Sequence, residues 1–232
     1  MPPIRFVYFD LDDTLLDHRH AERAALGDVM NDFPTIFAGH DLDTVHDTYH
    51  HINKPLWQAY AQATIDKATV KQQRFHRLLN ALDADTEQAS AVHARYLQRY
   101  GAHWQYMPGA QQAFTQIANQ YGVGILTNGF SETQQRKMNQ FPMLQDAAAS
   151  VIICEDVGHL KPHPAVFTHA TMQARVDPNE ILYVGDSYTS DVQGSAQAGW
   201  KMAWYTPRTA PDKPVAHGFA FSDWSDLLRR VA

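Results

Sequence analysis

Asp10, Asp12 and Asp13 fall within four residues, directly after the apolar run Phe6-Val7-Tyr8-Phe9. Carboxylates at this spacing suit a nucleophile paired with a proton-transfer group. Like charges so close resist ionising together. A hard divalent cation with oxygen ligands is the natural counterion. Three more polar groups also follow apolar runs. Thr127 follows Val123–Leu126, Lys161-Pro162 follows Val151–Cys154, and Gly185-Asp186-Ser187 with Asp191 follows Ile181–Val184. Each alone has a plain reading: an acidic turn, a turn threonine, a surface lysine, a strand-to-helix turn. Four polar groups, each at its own strand end, instead converge on one crevice, because parallel sheets bind ligands at the carboxyl ends of their strands.

The elements that must position these groups follow from the pattern. Val, Tyr and Phe before Asp10 suit a buried central strand. For about eighty residues after Leu16 the apolar spacing is helical, over Ala21–Met30, Thr44–Ala61, Thr69–Leu79 and from Asp85 or Thr86 toward Tyr100. Asp43 and Thr69 are the expected N-caps. A parallel crossover needs only a dozen or so residues, so this block reads as an insertion. From Met107 the pattern is regular α/β. Helices are expected from Pro108-Gly109 to Tyr121 with Gly122 as the stop, from Ser131 as cap to Phe141, from His163 or Pro164 to Ala174, and over Ser190–Ala198. Met202–Tyr205 is a fifth strand, Pro207–Pro214 a turn-rich tail, and Asp223–Val231 a closing helix with Trp224, Leu227 and Leu228 inward. The expected fold is α/β, a doubly wound parallel sheet with an inserted α-helical domain. Its core is residues 1–16 and 101–232, and the insertion is residues 17–100.

The chain has 232 residues, 44% of them apolar, enough for a sizeable core. A net charge of -6 argues against nucleic-acid polymers and membrane surfaces as partners. The single cysteine, Cys154, reads as a buried strand residue and fits a reducing cytoplasm. The N-terminus lacks a signal-peptide pattern, and no apolar run approaches membrane length. A monomer is expected.

The ordered set Asp10-Leu11-Asp12-Asp13-Thr14, Leu126-Thr127-Asn128-Gly129, Lys161-Pro162 and Gly185-Asp186-Ser187 with Asp191 resembles the haloacid-dehalogenase superfamily of phosphohydrolases. The helical insertion resembles that superfamily's type-1 cap. Asp12-Asp13-Thr14-Leu15-Leu16-Asp17, Thr127-Asn128-Gly129-Phe130-Ser131 with Gln134, and Asn53, Trp57, Arg74 and Phe75 in the insertion are similar to the pyrimidine 5'-nucleotidase group. The resemblance implies a Rossmann-like core and a Mg²⁺-dependent phosphomonoester hydrolase working through an aspartyl-phosphate. Asp10 would be the nucleophile and Asp12 the general acid and then base. Asp10, the Asp12 carbonyl and Asp186 would bind Mg²⁺, with Asp191 in support. Thr127 and the Asn128 backbone N–H would hold a phosphoryl oxygen, and Lys161 would neutralise charge. The substrate class is a small phosphorylated molecule, a pyrimidine nucleoside monophosphate on the narrower likeness. His18, Asn53, Trp57 and Arg74 are the candidates to reach it.

A charge count supports the metal. With Asp12 protonated, Lys161 and one divalent ion cancel Asp10, Asp186 and Asp191. Without the ion the site would repel a phosphate dianion. His46 and His50 lie four apart on a helix but read as a solvated face, since no third ligand follows. Trp57, Tyr60 and Phe75 read as core of the insertion, though their faces would suit a nucleobase. The alternatives are a phosphatase of a sugar phosphate or a small organic phosphate such as phosphoglycolate, a phosphomutase, a haloacid dehalogenase, which needs neither metal nor Asp12, and a non-enzymatic regulator that kept the fold.

Overall fold

A computed structural model describes residues 3–208 and 213–231. The chain divides into two compact units, Met1–Asp17 with Tyr106–Ala232, and His18–Gln105.

The first unit is built on a six-stranded parallel sheet in the order β3-β2-β1-β4-β5-β6. The strands are β1 Phe6–Phe9, β2 Gly122–Thr127, β3 Ser150–Ile153, β4 Ile181–Gly185, β5 Lys201–Tyr205 and β6 Gly218–Phe221. The doubly wound parallel sheet is as expected. β1 is central and wholly buried, which is why its residues are an unbroken apolar run and do not alternate. Its register sets Phe9 beside Ile125 on β2 and Val184 on β4. The strand order reverses between β1 and β4, so the crevice beyond their carboxyl ends lies at a topological switch point.

Helices α5 (Ala110–Ala118), α6 (Ser131–Gln140), α7 (Pro142–Ala147), α8 (Cys154–Val157), α9 (Pro164–Ala174), α10 (Gln193–Gln197) and α11 (Trp224–Val231) complete this unit. Asn119 caps the C-terminus of α5, and Gly122, expected to stop that helix, instead opens β2. Cys154 is buried as expected, but it starts α8 and does not end β3. The sequence reading missed β6, a four-residue strand beyond the turn-rich tail, and also α7. Residues 209–212 of that tail lie outside the described residues. Trp224 and Leu227 enter the core, while Leu228 packs against it partly buried.

The second unit is all-helical: α1 His18–Asp32, α2 Leu42–Ala61, α3 Lys67–Ala81 and α4 Ala89–Ala102. Asp41 and Asp66 cap α2 and α3 by accepting from the N–H of Thr44 and Thr69. The expected caps, Asp43 and Thr69, lie inside the first turn, because a capping carboxylate must sit three residues ahead of the N–H it satisfies. In the first unit, Leu16 pairs antiparallel with Tyr106, and the Met107 N–H donates to the Leu15 carbonyl at 2.9 Å. The chain therefore departs for the helical unit and returns from it through two paired segments. Among the described residues no helix is long and apolar enough to cross a membrane.

Candidate active site

Asp10 leaves β1 at the sheet edge, its N–H held by the Val184 carbonyl at 2.8 Å. The residue is 7% exposed. Lys161 is 2% exposed, and its Nζ contacts Asp10 Oδ1 at 2.7 Å and Asp191 Oδ1 at 2.9 Å. The same ammonium donates to the Leu126 carbonyl at 3.1 Å and to the Tyr183 hydroxyl at 2.5 Å. Tyr183, on β4, donates in turn to the Leu126 carbonyl at 2.9 Å. Sequence reasoning missed this tyrosine, whose position inside an apolar strand gives no sign of its contact.

Asp186 follows β4. Its backbone carbonyl accepts from the Trp204 indole at 2.8 Å, and Thr14 donates to its Oδ1 at 3.5 Å. Asp191 is fully buried and enters through a wide turn, Tyr188–Val192, in which the Val192 N–H returns five residues to the Ser187 carbonyl. Such turns recur at functional sites. Asp191 Oδ2 also accepts from the Ser187 N–H at 3.0 Å. A Cβ at Gly185 would lie 2.5 Å from Asp191 Oδ2, so glycine there lets the carboxylate close on the strand end.

One ligand oxygen each from Asp10, Asp186 and Asp191 lies within 4.8 Å of the others. The all-oxygen donor set is the kind that a hard divalent cation such as magnesium takes. Burial pushes the Asp10 carboxyl up to about 7, with Lys161 opposing and Asp191 adding to the rise. Burial, then the charges of Asp10 and Asp191, hold Asp186 well above the usual carboxylate range, although its surface reaches solvent. Burial disfavours the Lys161 ammonium, but the same two carboxylates outweigh it and keep the amine strongly protonated.

A carboxyl at about 7 when folded, against 3.8 ordinarily, keeps a proton that the unfolded chain has lost. The metal-free protein should lose stability as pH rises through that window and lose no more above it. Protons compete with the metal in the same window. Mg²⁺ should therefore raise the melting temperature more at about pH 8 than at about pH 6. A thermal shift that is equal at both, or smaller at the higher pH, would contradict the three-carboxylate site.

Thr127 ends β2 and is buried; its Oγ1 accepts from Gln134 Nε2 at 2.8 Å and donates to the Asn128 carbonyl at 3.1 Å. Asn128 clips two loops together: its Oδ1 accepts from the Lys161 N–H at 2.8 Å and its Nδ2 donates to the Lys161 carbonyl at 3.0 Å. Its side chain is thereby spent on holding Lys161. Gly129 has φ +150, and a Cβ there would sit 2.6 Å from Gln134 Nε2. Only glycine lets the Gln134 side chain pass. Ser131 is the first residue of α6 and not its cap. Its N–H donates to Glu155 at 2.6 Å and its hydroxyl to Asp156, so α8 caps α6 from outside.

Asp12 is held from α6. Lys137 Nζ lies 2.5 Å from Asp12 Oδ1, and Gln134 Nε2 donates to Asp12 Oδ2 at 2.9 Å. The charge count from sequence omitted Lys137. An ionised Asp12 has its own cation, which leaves Lys161 as the cation beside the other three carboxylates.

The structure thus brings Asp10, Asp12, Thr127, Asn128, Lys161, Asp186 and Asp191 together. The other candidates lie in the helical unit. His18 Nδ1 hydrogen-bonds the Tyr100 hydroxyl at 2.6 Å, and its Nε2 lies 3.5 Å from Glu22 Oε2. His46 Nε2 lies 3.4 Å from Glu22 Oε1. His46 is therefore turned inward against a buried carboxylate, whereas its neighbours His50 and His51 are on the expected exposed face. Burial would raise Glu22, but hydrogen bonds from His18 and His46 override it and hold the carboxyl far below its usual range. Asn53 is buried in α2. Arg74 is buried too, 3.0 Å from His93 and over the Tyr96 and Phe75 rings, while its Nε is buried with no hydrogen-bond partner among the described residues. Phe75 is core, and Trp57 is half-buried, edge-on to Tyr60.

Together these features define a doubly wound α/β hydrolase core with an acidic site at its switch point. The chain belongs to the haloacid dehalogenase-like hydrolases, whose family model matches residues 4–199. It is 30% identical over 220 residues to the HAD-hydrolase YfnB of Bacillus subtilis, covering 92% of this chain and 89% of that protein. The crystal structure of YfnB bound to magnesium matches with a TM-score of 0.85 at 25% identity over 99% of each chain. The pyrimidine 5'-nucleotidase YjjG of Escherichia coli is 28% identical over 200 residues, 86% of this chain and 84% of that one. The glyceraldehyde 3-phosphate phosphatase of Pyrococcus abyssi is 27% identical over 205 residues, 87% of this chain and 81% of that one.

Proposed function

We propose that this hydrolase is a Mg²⁺-dependent, cytoplasmic 5'-nucleotidase that cleaves nucleoside monophosphates, pyrimidines favoured, through an aspartyl-phosphate on Asp10. In its coarser description it is a phosphoric monoester hydrolase acting on small phosphorylated molecules. The observation that carries the reading is the Asp10 carboxylate, pinned by Lys161 at 2.7 Å through one oxygen within a three-carboxylate cluster. That leaves the other oxygen to attack.

Asp10 forms a bond to phosphorus as the bond to the ester oxygen breaks, and the leaving oxygen takes a proton from Asp12. Water then attacks the same phosphorus and gives its proton to Asp12. The bond from phosphorus to Asp10 breaks, releasing phosphate and the free carboxylate. Asp10, Asp186 and the Asp12 carbonyl would hold Mg²⁺, with Asp191 in support. The bound ion neutralises and orients the phosphoryl oxygens. The Thr127 hydroxyl accepts from Gln134, so its own proton can turn to a phosphoryl oxygen. Lys161 offsets the charge of the nucleophile and phosphoryl group.

Asp12→Asn should slow turnover of a nucleoside monophosphate by ~10²–10⁴-fold, the range of general acid–base catalysis. Phosphoryl transfer from p-nitrophenyl phosphate should suffer less, because nitrophenolate leaves without a proton. Equal losses in that step for both esters would remove Asp12 from the role of acid.

The substrate is tested by a phosphate-release screen with Mg²⁺ across nucleotides, sugar phosphates and small organic phosphates. Pyrimidine nucleoside monophosphates should lead. The likeness to a glyceraldehyde 3-phosphate phosphatase supports a second reading. A screen led by triose or sugar phosphates would replace the nucleotide assignment and leave the hydrolase intact.

A further inference from the structure

We propose that Lys137 and Gln134 are positioning residues for Asp12, holding its carboxylate by both oxygens in the orientation from which it serves the leaving group and then the water. This inference rests on the hydrolase reading above.

Three observations support it. The first is two-point fixation: Lys137 takes Oδ1 at 2.5 Å and Gln134 takes Oδ2 at 2.9 Å. Both project from α6, three residues apart and hence on one face. The Asp12 side chain is 26% exposed and follows β1 in a turn where Asp13 has φ +59, beyond the last residue that the strand's register fixes. A proton-transfer group must be held to a fraction of an ångström and a narrow angle.

The second is the cost of the arrangement. Lys137 is 2% exposed and Gln134 1%, on the helix face that also buries Met138. Taking an ammonium out of water is expensive, and a well-packed apolar side chain in its place is often neutral or stabilising. Stability alone therefore gives little reason for a lysine here.

The third is connection. Gln134 Nε2 also lies 2.8 Å from Thr127 Oγ1 and 2.9 Å from the Asn128 carbonyl, so its two hydrogens are shared among three acceptors. One side chain thus ties the Asp12 carboxylate to the loop proposed to hold the phosphoryl oxygens. The proton-transfer group and the phosphoryl contact are set as one unit.

The test compares Lys137→Met, Lys137→Arg and Gln134→Met, alone and combined with Asp12→Asn, with Mg²⁺. Turnover is measured on a nucleoside monophosphate and on p-nitrophenyl phosphate, and each melting temperature is recorded. Lys137→Met and Gln134→Met should each slow the nucleotide about 10- to 100-fold, the usual loss when an orienting partner is removed. They should slow the nitrophenyl ester's transfer step less. Lys137→Arg should recover part of the loss. On the Asp12→Asn background Lys137→Met should slow turnover by no more than about 2-fold, because residues acting through one group are not additive; Gln134→Met should keep the part of its loss that runs through Thr127. Wild-type turnover in the Met variants, or for Lys137→Met an equal loss in the transfer step on both esters or full additivity with Asp12→Asn, would overturn the proposal. If Lys137→Met does not fold, Lys137→Arg decides by the same criteria. A wild-type protein that releases phosphate from no ester defeats the hydrolase reading and this inference with it. An active wild type with indifferent variants defeats this inference alone.

Discussion

Asp10→Asn is expected to abolish turnover while leaving the fold intact. The substitution keeps the shape of the side chain and removes the charge that attacks phosphorus. Asp12 cannot substitute, because Lys137 and Gln134 fix its carboxylate in a place other than the one Asp10 occupies beside Lys161. Asp191 cannot either, being fully buried and held by Lys161 and the Ser187 N–H. The loss should be on the order of 10⁴-fold or more, as when the nucleophile of a catalytic unit is removed. Stability should move the other way. Burial and neighbouring carboxylates push Asp10 up to about 7, so its ionised form is a strained member of the metal-free cluster. At about pH 8 without metal, the Asn variant should melt no lower than the wild type. Turnover within ten-fold of wild type, in freshly purified variant, would remove Asp10 from the role of nucleophile.

Lys161→Met should damage both activity and stability. One ammonium serves Asp10, Asp191, the Leu126 carbonyl and the Tyr183 hydroxyl. Without it two buried carboxylates face each other. Breaking a buried pair by deleting one partner typically costs ~3–5 kcal/mol. For a chain of this length that corresponds to a fall of about 6–20 °C in melting temperature. Mg²⁺ should restore part of the melting temperature by replacing the lost charge. It should not restore turnover, since Mg²⁺ is already part of the proposed active enzyme and the ammonium's own contact to Asp10 stays lost. Unchanged melting without metal would show that the carboxylates are neutralised in some other way.

The site was legible in the sequence wherever a polar residue ended an apolar run. Asp10, Thr127, Lys161 and Asp186 each stand where a buried strand stops, and parallel strands carry such residues to one edge. Contacts made across the fold left no such mark. Lys137 and Gln134 reach Asp12 from a helix more than a hundred residues away. Gln134 stood out only as part of the narrower family likeness, and Lys137 not at all, because α6 is polar nearly throughout and no apolar face marks its inward side. Tyr183 hides in the same way inside β4, because its ring satisfies the apolar pattern and only its hydroxyl reaches Lys161. Glu22 reads as a surface acid until His18 and His46 are seen against it. The fold was lost only at short elements. Gly218–Phe221 is four residues long and follows a turn-rich tail, so neither length nor alternation marks it as β6. The cap of α2 shifted from Asp43 to Asp41 because two aspartates flank one leucine, and propensity alone cannot choose between them.

The most direct test of the central claim is the stereochemical course at phosphorus. A substrate made chiral at phosphorus is hydrolysed in isotopically labelled water with Mg²⁺, and the configuration of the released phosphate is read. Transfer to Asp10 followed by transfer to water is two in-line displacements, each of which inverts, so the predicted outcome is net retention. Net inversion would mean that water attacks the substrate directly, and Asp10 would then have no covalent role.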